Sequence, residues 1–136
     1  MNTLNSRTAL ADEFHRLVAK LDVHDYFKSF HTQPQHDGSP HIEMRNDKFE
    51  FVVTERGCEL ERIKDLSADD VLYLLMESAT RHMALQYELE VRREGTDGRS
   101  VWFPYQEKLM SDFNPLWGAR LAARHARILQ EHPYGS

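Results

Sequence analysis

The period of the hydrophobic pattern changes twice along the 136-residue chain, and this change constrains the fold more than any other feature. Apolar residues recur every three or four positions over residues 6–21, which is typical of one face of a helix. Residues 31–40 lack a period and contain two prolines and a glycine, so a surface loop is predicted. Alternation at every second position follows over residues 41–53, and the helical spacing returns after Ser67.

Three half-buried strands are predicted in the alternating part of the chain. They cover residues 41–45, 48–53 and 58–64. Residues 46–47 (Asn-Asp) and 55–57 (Glu-Arg-Gly) separate them, and Asn, Asp and Gly accept the positive φ angles of tight turns. An antiparallel meander is therefore expected.

Three helices should follow the strands. Ser67 with Asp70 three positions later is an acidic variant of the capping box, and it predicts a long helix that runs to about Arg93. A second helix is expected from about residue 99 to residue 113. Pro104 is tolerable there only within the first turn, because a later proline interrupts the hydrogen-bond ladder.

The last helix is predicted to begin at the Asn-Pro pair of residues 114–115, which supplies a cap and a proline suited to the first position.

The predicted fold class is α+β, with an N-terminal helix, a three-stranded antiparallel β-meander, and then three α-helices packed on the sheet. A chain of this length fits one domain, so a single domain over residues 1–136 is expected.

The charge of the chain favours a protein partner over nucleic acid. Its formal net charge is −5, and residues 41–97 contain 14 Asp and Glu against eight Lys and Arg. Nucleic-acid binding requires a basic surface, which this segment does not provide. A partner with a basic contact surface would be attracted.

The same composition suggests a soluble cytoplasmic protein. Residues 1–8 contain no apolar segment of the kind that directs secretion, and no stretch approaches the length of a membrane span. Cys58 is the only cysteine, so an internal disulfide and a Cys-rich zinc site are both excluded. We expect no cofactor, no metal and no membrane partner.

Eight histidines raise the alternative of a metal-dependent enzyme. His31, His36 and His41 are equally spaced in the predicted loop, but this spacing does not bring ligands together as a helical HExxH pair does. His125 and His132 lie seven residues apart on the last helix, where surface or helix-end positions are predicted. Solvated histidines are the simpler interpretation.

Nucleophilic or acid–base chemistry is the other enzymatic possibility. Cys58 stands at the start of a predicted strand with no histidine close to it in sequence, so a small buried or edge residue is expected. Glu59 and Glu61 lie two positions apart and are predicted to face the same side of the sheet, where Arg56 and Arg62 can pair with them. Motifs for nucleotide binding, hydrolysis and calcium binding do not occur, and we predict that the protein is not an enzyme.

Residues 53–134 contain several short motifs whose order resembles the Immunity protein 63 family of bacterial polymorphic-toxin systems. The motifs are Val53-Thr54-Glu55-Arg56-Gly57-Cys58-Glu59-Leu60-Glu61-Arg62, Asp70-Val71-Leu72-Tyr73, Met83-Ala84, Tyr87-Glu88-Leu89 with Arg92, Asp97-Gly98-Arg99 with Phe103 and Gln106, Trp117 with Arg120, and His132-Pro133-Tyr134. The resemblance implies an immunity protein that binds and neutralises a cognate toxin by occlusion and so protects the producing cell.

The resemblance and the acidic charge together suggest two groups of functional residues. The first group consists of acidic side chains suited to a basic toxin surface: Glu55, Glu59, Glu61, Asp69, Asp70 and Glu77. The second group consists of polar motif residues that are expected to hold the fold: Arg56, Gly57, Tyr87, Glu88, Arg92, Asp97 and Arg99. A small metal-dependent enzyme and a structural adaptor protein remain the alternatives at this point.

Overall fold

The computed structural model describes residues 5–135, so the expectation for residues 1–8 falls partly outside the described residues. The elements are α1 (Arg7–Val18), a short 3-10 helix (Asp25–Lys28), β1 (Asp37–Arg45), β2 (Lys48–Glu55), β3 (Cys58–Leu66), α2 (Ala68–Val91), α3 (Arg99–Phe113) and α4 (Pro115–Glu131). The predicted α+β class and its order of elements are confirmed.

The described residues form two compact units that meet within α2. The N-terminal unit extends to Met76 and contains α1, the three strands and the first turns of α2. The C-terminal unit begins at Glu77 and contains the rest of α2 with α3 and α4. The single domain over residues 1–136 stays a prediction.

Helix α1 has the cap and the buried stripe that the sequence indicates. The Ser6 hydroxyl accepts a hydrogen bond from the Ala9 N–H at 3.1 Å, which satisfies one donor of the first turn. Leu10, Phe14 and Leu17 follow the three- and four-residue spacing and are buried. The predicted amphipathic helix is confirmed.

The three strands form one antiparallel sheet in the order β1-β2-β3. The β1–β2 turn has positive φ at both Asn46 (51°) and Asp47 (64°), and the β2–β3 turn has positive φ at Arg56 (53°) and Gly57 (81°). Paired positive φ angles are typical of type I′ turns, whose twist matches that of the flanking strands. Both predicted hairpin turns are confirmed.

Strand β1 begins at Asp37, whereas the sequence predicted a strand from residue 41. The predicted loop over residues 31–40 therefore ends before Asp37. Gly38 adopts φ of 87°, and the register shifts between Asp37 and Pro40. β1 is an edge strand, where a proline without an N–H is tolerated. Pairing therefore continues through residues that look like loop residues in the sequence.

Strand β2 is buried on both faces, whereas a half-buried strand was predicted. Phe49 and Phe51 point to one face, and Glu50 and Val52 point to the other, yet all four are buried. β2 lies in the centre of the sheet, between β1 and β3. A polar residue in the alternating pattern, such as Glu50, is therefore no proof of exposure.

The capping box of α2 forms as predicted. The Asp70 N–H donates to the Ser67 hydroxyl at 3.1 Å, and the Ser67 N–H donates to the Asp70 carboxylate at 3.1 Å. Helix α4 begins with the predicted cap as well, since the Leu116 N–H donates to the Asn114 side-chain oxygen at 2.9 Å. Two helix starts were thus predictable from local signals.

Pro104 contradicts the expectation that it must lie in the first turn of α3. The helix begins at Arg99, so Pro104 is its sixth residue. The proline nitrogen cannot donate to the carbonyl four residues earlier. Burial of Phe103, Gln106 and Met110 on the same helix offsets this loss, and the helix continues to Phe113.

Helices α3 and α4 approach each other closely at Gly118. A Cβ atom added to Gly118 would lie 2.9 Å from the Ser111 Cα and 2.7 Å from its Cβ. Trp117 and Leu121, which flank this glycine on α4, are buried.

Within residues 5–135, no helix has both the length and the apolar character that crossing a membrane requires.

Candidate functional site

One face of the sheet carries a cluster of charged side chains. Val52 of β2 pairs with His41 of β1 and with Arg62 of β3, while Glu43 pairs with Glu50. Residues opposite each other across an antiparallel ladder share a face, and so do residues two apart on one strand. The four polar side chains of this set therefore project from the same side of the sheet.

Arg62 is the centre of this cluster. Its guanidinium donates to Glu43 at 3.0 Å and to Glu59 at 2.7 Å, and it also donates to Glu50. The Glu50 side chain is only 5% exposed and the Arg62 side chain 23% exposed. Arg45 also lies 3.5 Å from Glu50. We call Glu43, Glu50, Glu59 and Arg62 the Arg62 cluster.

Arg62 favours the ionised form of two carboxylates of the cluster, Glu43 and Glu59. Hydrogen bonds from Arg62, and then from His41, lower the pKa of Glu43 to about 2. The same arginine lowers the pKa of Glu59. Hydrogen bonds to the three glutamates raise the pKa of Arg62 above its ordinary value. Charge-assisted bonds favour both charged partners in this way, so this face of the sheet stays charged near neutral pH.

Glu59 and Glu61 face opposite sides of the sheet, which corrects the prediction that they share one side. Glu61 pairs with Val53, but a register shift makes Glu59 pair with Thr54, the next residue of β2. A β-bulge of this kind places an extra residue in one strand and reverses the alternation beyond it. The bulge also explains how Glu59 reaches Arg62, although the two residues are three positions apart.

The six predicted acidic contacts do not form one compact patch. Glu55, Glu59 and Glu61 lie near the start of β3, whereas Asp69 and Asp70 follow its end. A strand of nine residues is about 25 Å long. Glu55, Glu59, Glu61 and Asp69 are exposed, while Asp70 is partly covered and completes the capping box.

Glu77 has a structural position in the C-terminal unit. Its side chain is 8% exposed and pairs with Arg81 at 3.1 Å and Arg124 at 3.3 Å. Its carbonyl accepts a hydrogen bond at 2.9 Å from the side-chain amide of Gln106, which is itself buried. This arrangement could not be predicted from the sequence, because the partners lie up to 47 residues away.

The polar motif residues Glu88 and Arg92 form an ion pair at 2.6 Å at the C-terminal end of α2, and the Arg92 hydrogen bond lowers the pKa of Glu88. Asp97 pairs at 2.7 Å with Arg99, the first residue of α3, and Arg99 lowers the pKa of Asp97 to about 2. Arg99 also donates to the His132 carbonyl at 2.7 Å. These four side chains hold secondary-structure ends together.

The remaining motif residues occupy turns and an aromatic contact. Arg56 and Gly57 form the β2–β3 turn, and the Arg56 N–H donates to the His36 carbonyl at 3.1 Å. Tyr87 stacks on Tyr105 with 4.4 Å between the ring centroids and 12° between the planes. The structural role expected of these motif residues stays a prediction.

His125 is buried in α4, whereas a surface or helix-end position was predicted. Its Nδ1 lies 2.7 Å from the Glu107 carboxylate, and its ring stacks on Phe103 at 3.7 Å between centroids. Burial lowers the pKa of His125, and the bond with Glu107 opposes this change. A signal was present, because His125 continues the buried stripe of Trp117 and Leu121 at four-residue spacing.

The histidines and Cys58 are the residues on which the enzymatic alternatives depend. Among residues 5–135, no group of three or more His, Cys, Asp and Glu side chains lies close enough to hold a metal ion. His41 and His125 each contact a single glutamate instead. Cys58 is exposed at the start of β3.

Comparison with known proteins gives one finding that bears on function. The family model described as Immunity protein 63 matches residues 46–127, which is more than half of the chain. The chain belongs to the Immunity protein 63 family. The match includes the Arg62 cluster except for Glu43, and it includes most of the C-terminal unit. Neither the curated proteins nor the solved structures contain a significant match.

Proposed function

We propose that this Immunity protein 63 member binds a cognate bacterial toxin one to one and neutralises it by occlusion in the cytoplasm of the producing cell. Family membership carries this proposal. We further propose that the protein performs no catalysis, because an inhibitor that covers a toxin needs only a complementary surface of about 800 Å².

The distribution of charge identifies the surface that we assign to the toxin. Residues of the N-terminal unit include 14 Asp and Glu against nine Lys and Arg, whereas the C-terminal unit contains eight of each. The whole net negative charge therefore belongs to the N-terminal unit. Charge of one sign steers an oppositely charged partner and speeds association, so the proposed toxin surface is basic.

Among the six acidic residues expected from the sequence to contact the toxin, those with exposed side chains are the best candidates. They are Glu55, Glu59, Glu61 and Asp69, with Asp70 beside them. Glu59 also forms an ion pair with Arg62, so we propose that it stabilises the sheet as well as contacting the toxin. Glu77 is paired with two arginines, and we assign its role to the C-terminal unit itself.

Charge reversal at two exposed positions tests this surface. We expect Glu55→Lys with Glu61→Lys to weaken binding to the toxin domain encoded by the adjacent gene by about tenfold at low salt, mainly through slower association. Surface plasmon resonance at several salt concentrations measures this effect. The matched control is Asp112→Lys with Glu131→Lys, which makes the same charge change at exposed positions of the C-terminal unit outside the lining of any described pocket.

The control variant should bind within about twofold of the unmodified protein, since solvent screens exposed charges that lie outside a contact surface. Circular dichroism establishes that both double variants are folded. Equal effects of the two double variants would show that the acidic surface of the N-terminal unit is not the contact surface.

A further inference from the structure

The C-terminal unit contains an open pocket at the junction of α2 and α3. The pocket has a volume of about 400 Å³ and is lined by Tyr87, Val91, Arg93, Thr96 and Val101. The last turns of α2, the connecting turn and the start of α3 each contribute to it. We call it the α2–α3 pocket.

The walls of the pocket are fixed by contacts on several sides. The Tyr87 ring is stacked on Tyr105, which restricts its rotation. The connecting turn lies directly against Glu88, because a Cβ atom added to Gly98 would be 2.5 Å from a Glu88 carboxylate oxygen. The Asp97–Arg99 pair holds the end of the same turn. A pocket formed before binding avoids the entropic cost of ordering its walls.

The chemistry of the lining is apolar with one positive charge. Val91 and Val101 give aliphatic walls, and Tyr87 gives an aromatic one. Arg93 is the only charged lining residue, and within residues 5–135 no ion pair involves it. The neighbouring Arg92, by contrast, is paired with Glu88.

The openness of the pocket favours a protein partner. Tyr87 is 38% exposed and Val91 40% exposed, so a small ligand would remain largely in water. Small-molecule sites bury most of their ligand. A side chain that is anchored by a larger interface needs only a shallow, well-packed recess, and tyrosine and arginine are enriched where such anchors dock.

We propose that the α2–α3 pocket receives an apolar or aromatic side chain of the toxin, and that Arg93 pairs with a carboxylate next to that side chain. This inference rests on the proposed function, and it adds a second contact whose charge is opposite to that of the acidic surface.

Two pairs of variants test the inference by measuring affinity for the toxin domain encoded by the adjacent gene. Arg93→Glu should weaken the affinity by about tenfold or more, whereas Arg127→Glu, at an exposed arginine of α4, should change it by less than about twofold. Val91→Asp should weaken binding similarly, and Leu116→Asp, at an exposed leucine of α4, should not. All four positions are on the surface, so circular dichroism should show intact folds.

The outcomes separate this inference from the proposed function. Normal toxin binding by Arg93→Glu and Val91→Asp would overturn the pocket assignment and leave the proposed function standing. Failure of the unmodified protein to bind the toxin would overturn both. If the two variants change only self-association, as measured by sedimentation velocity, the occupant is a second copy of this chain and the assignment to the toxin is wrong.

Discussion

Replacing Arg62 with Met is expected to lower the free energy of unfolding by about 3 kcal/mol, because the change leaves a buried carboxylate without its main partner. The Glu50 side chain is 5% exposed and depends on Arg62, since its second partner, Arg45, is mostly exposed and lies 3.5 Å away. Glu43 and Glu59 lose the same arginine and then repel each other and Glu50. Urea unfolding followed by circular dichroism measures the loss.

The matched control is Lys108→Met, which removes an ion pair of ordinary surface character. Lys108 is 77% exposed and Asp112 61% exposed, so this variant should lose less than about 0.5 kcal/mol. Adding Glu50→Gln to the Arg62→Met variant should recover part of the stability, because the buried charge disappears. A loss in Arg62→Met no larger than that of the control would contradict the central role of Arg62.

Replacing Gly118 with Ala is expected to destabilise the protein by about 3 kcal/mol, which is at the upper end of the range for overpacked sites. The new methyl group would lie 2.9 Å from the Ser111 Cα, and a backbone atom can move only if α3 and α4 separate. Intrinsic helix propensity predicts the opposite sign, because Ala is favoured over Gly by about 1 kcal/mol within a helix. The sign of the change therefore distinguishes packing from propensity.

Thermal and urea unfolding of Gly118→Ala should be compared with the double variant that also carries Ser111→Gly. Removing the serine side chain relieves the contacts with its Cβ and hydroxyl but not the contact with its Cα. We therefore expect partial recovery. A Gly118→Ala variant that is as stable as the unmodified protein would show that the two helices do not approach each other at this position.

Features of the fold that depend on neighbouring residues could be predicted from the sequence. Ser67 and Asp70 form their capping box, and the turn at residues 46–47 has the positive φ angles that Asn and Asp tolerate. The Asn114 cap forms as well. Each of these signals acts over two or three residues, so no tertiary information was needed.

Features that depend on strand pairing could not be predicted. The opposite orientation of Glu59 and Glu61 comes from a register shift against β2, and the start of β1 at Asp37 depends on pairing with Glu55. A pattern of alternating residues within one strand contains no information about its partner. The same reason explains why β1 and β3 extended beyond their predicted ends.

The candidate site was predictable only in part. The acidic character of the N-terminal unit follows from composition, and Glu55 and Glu61 are exposed as a contact residue must be. The Arg62 cluster joins residues up to 19 positions apart, so the sequence did not reveal that Glu59 is bound to an arginine. His125 was misplaced because a histidine within a helix is compatible with a surface position as well as with a paired, buried one.

Growth of bacteria that produce the toxin domain encoded by the adjacent gene tests the central claim most directly. Production of this Immunity protein 63 member in the same cells should restore growth to the level of cells without the toxin. Growth that stays arrested, although the immunity protein is present in folded form and in excess, would contradict the claim that it neutralises that toxin.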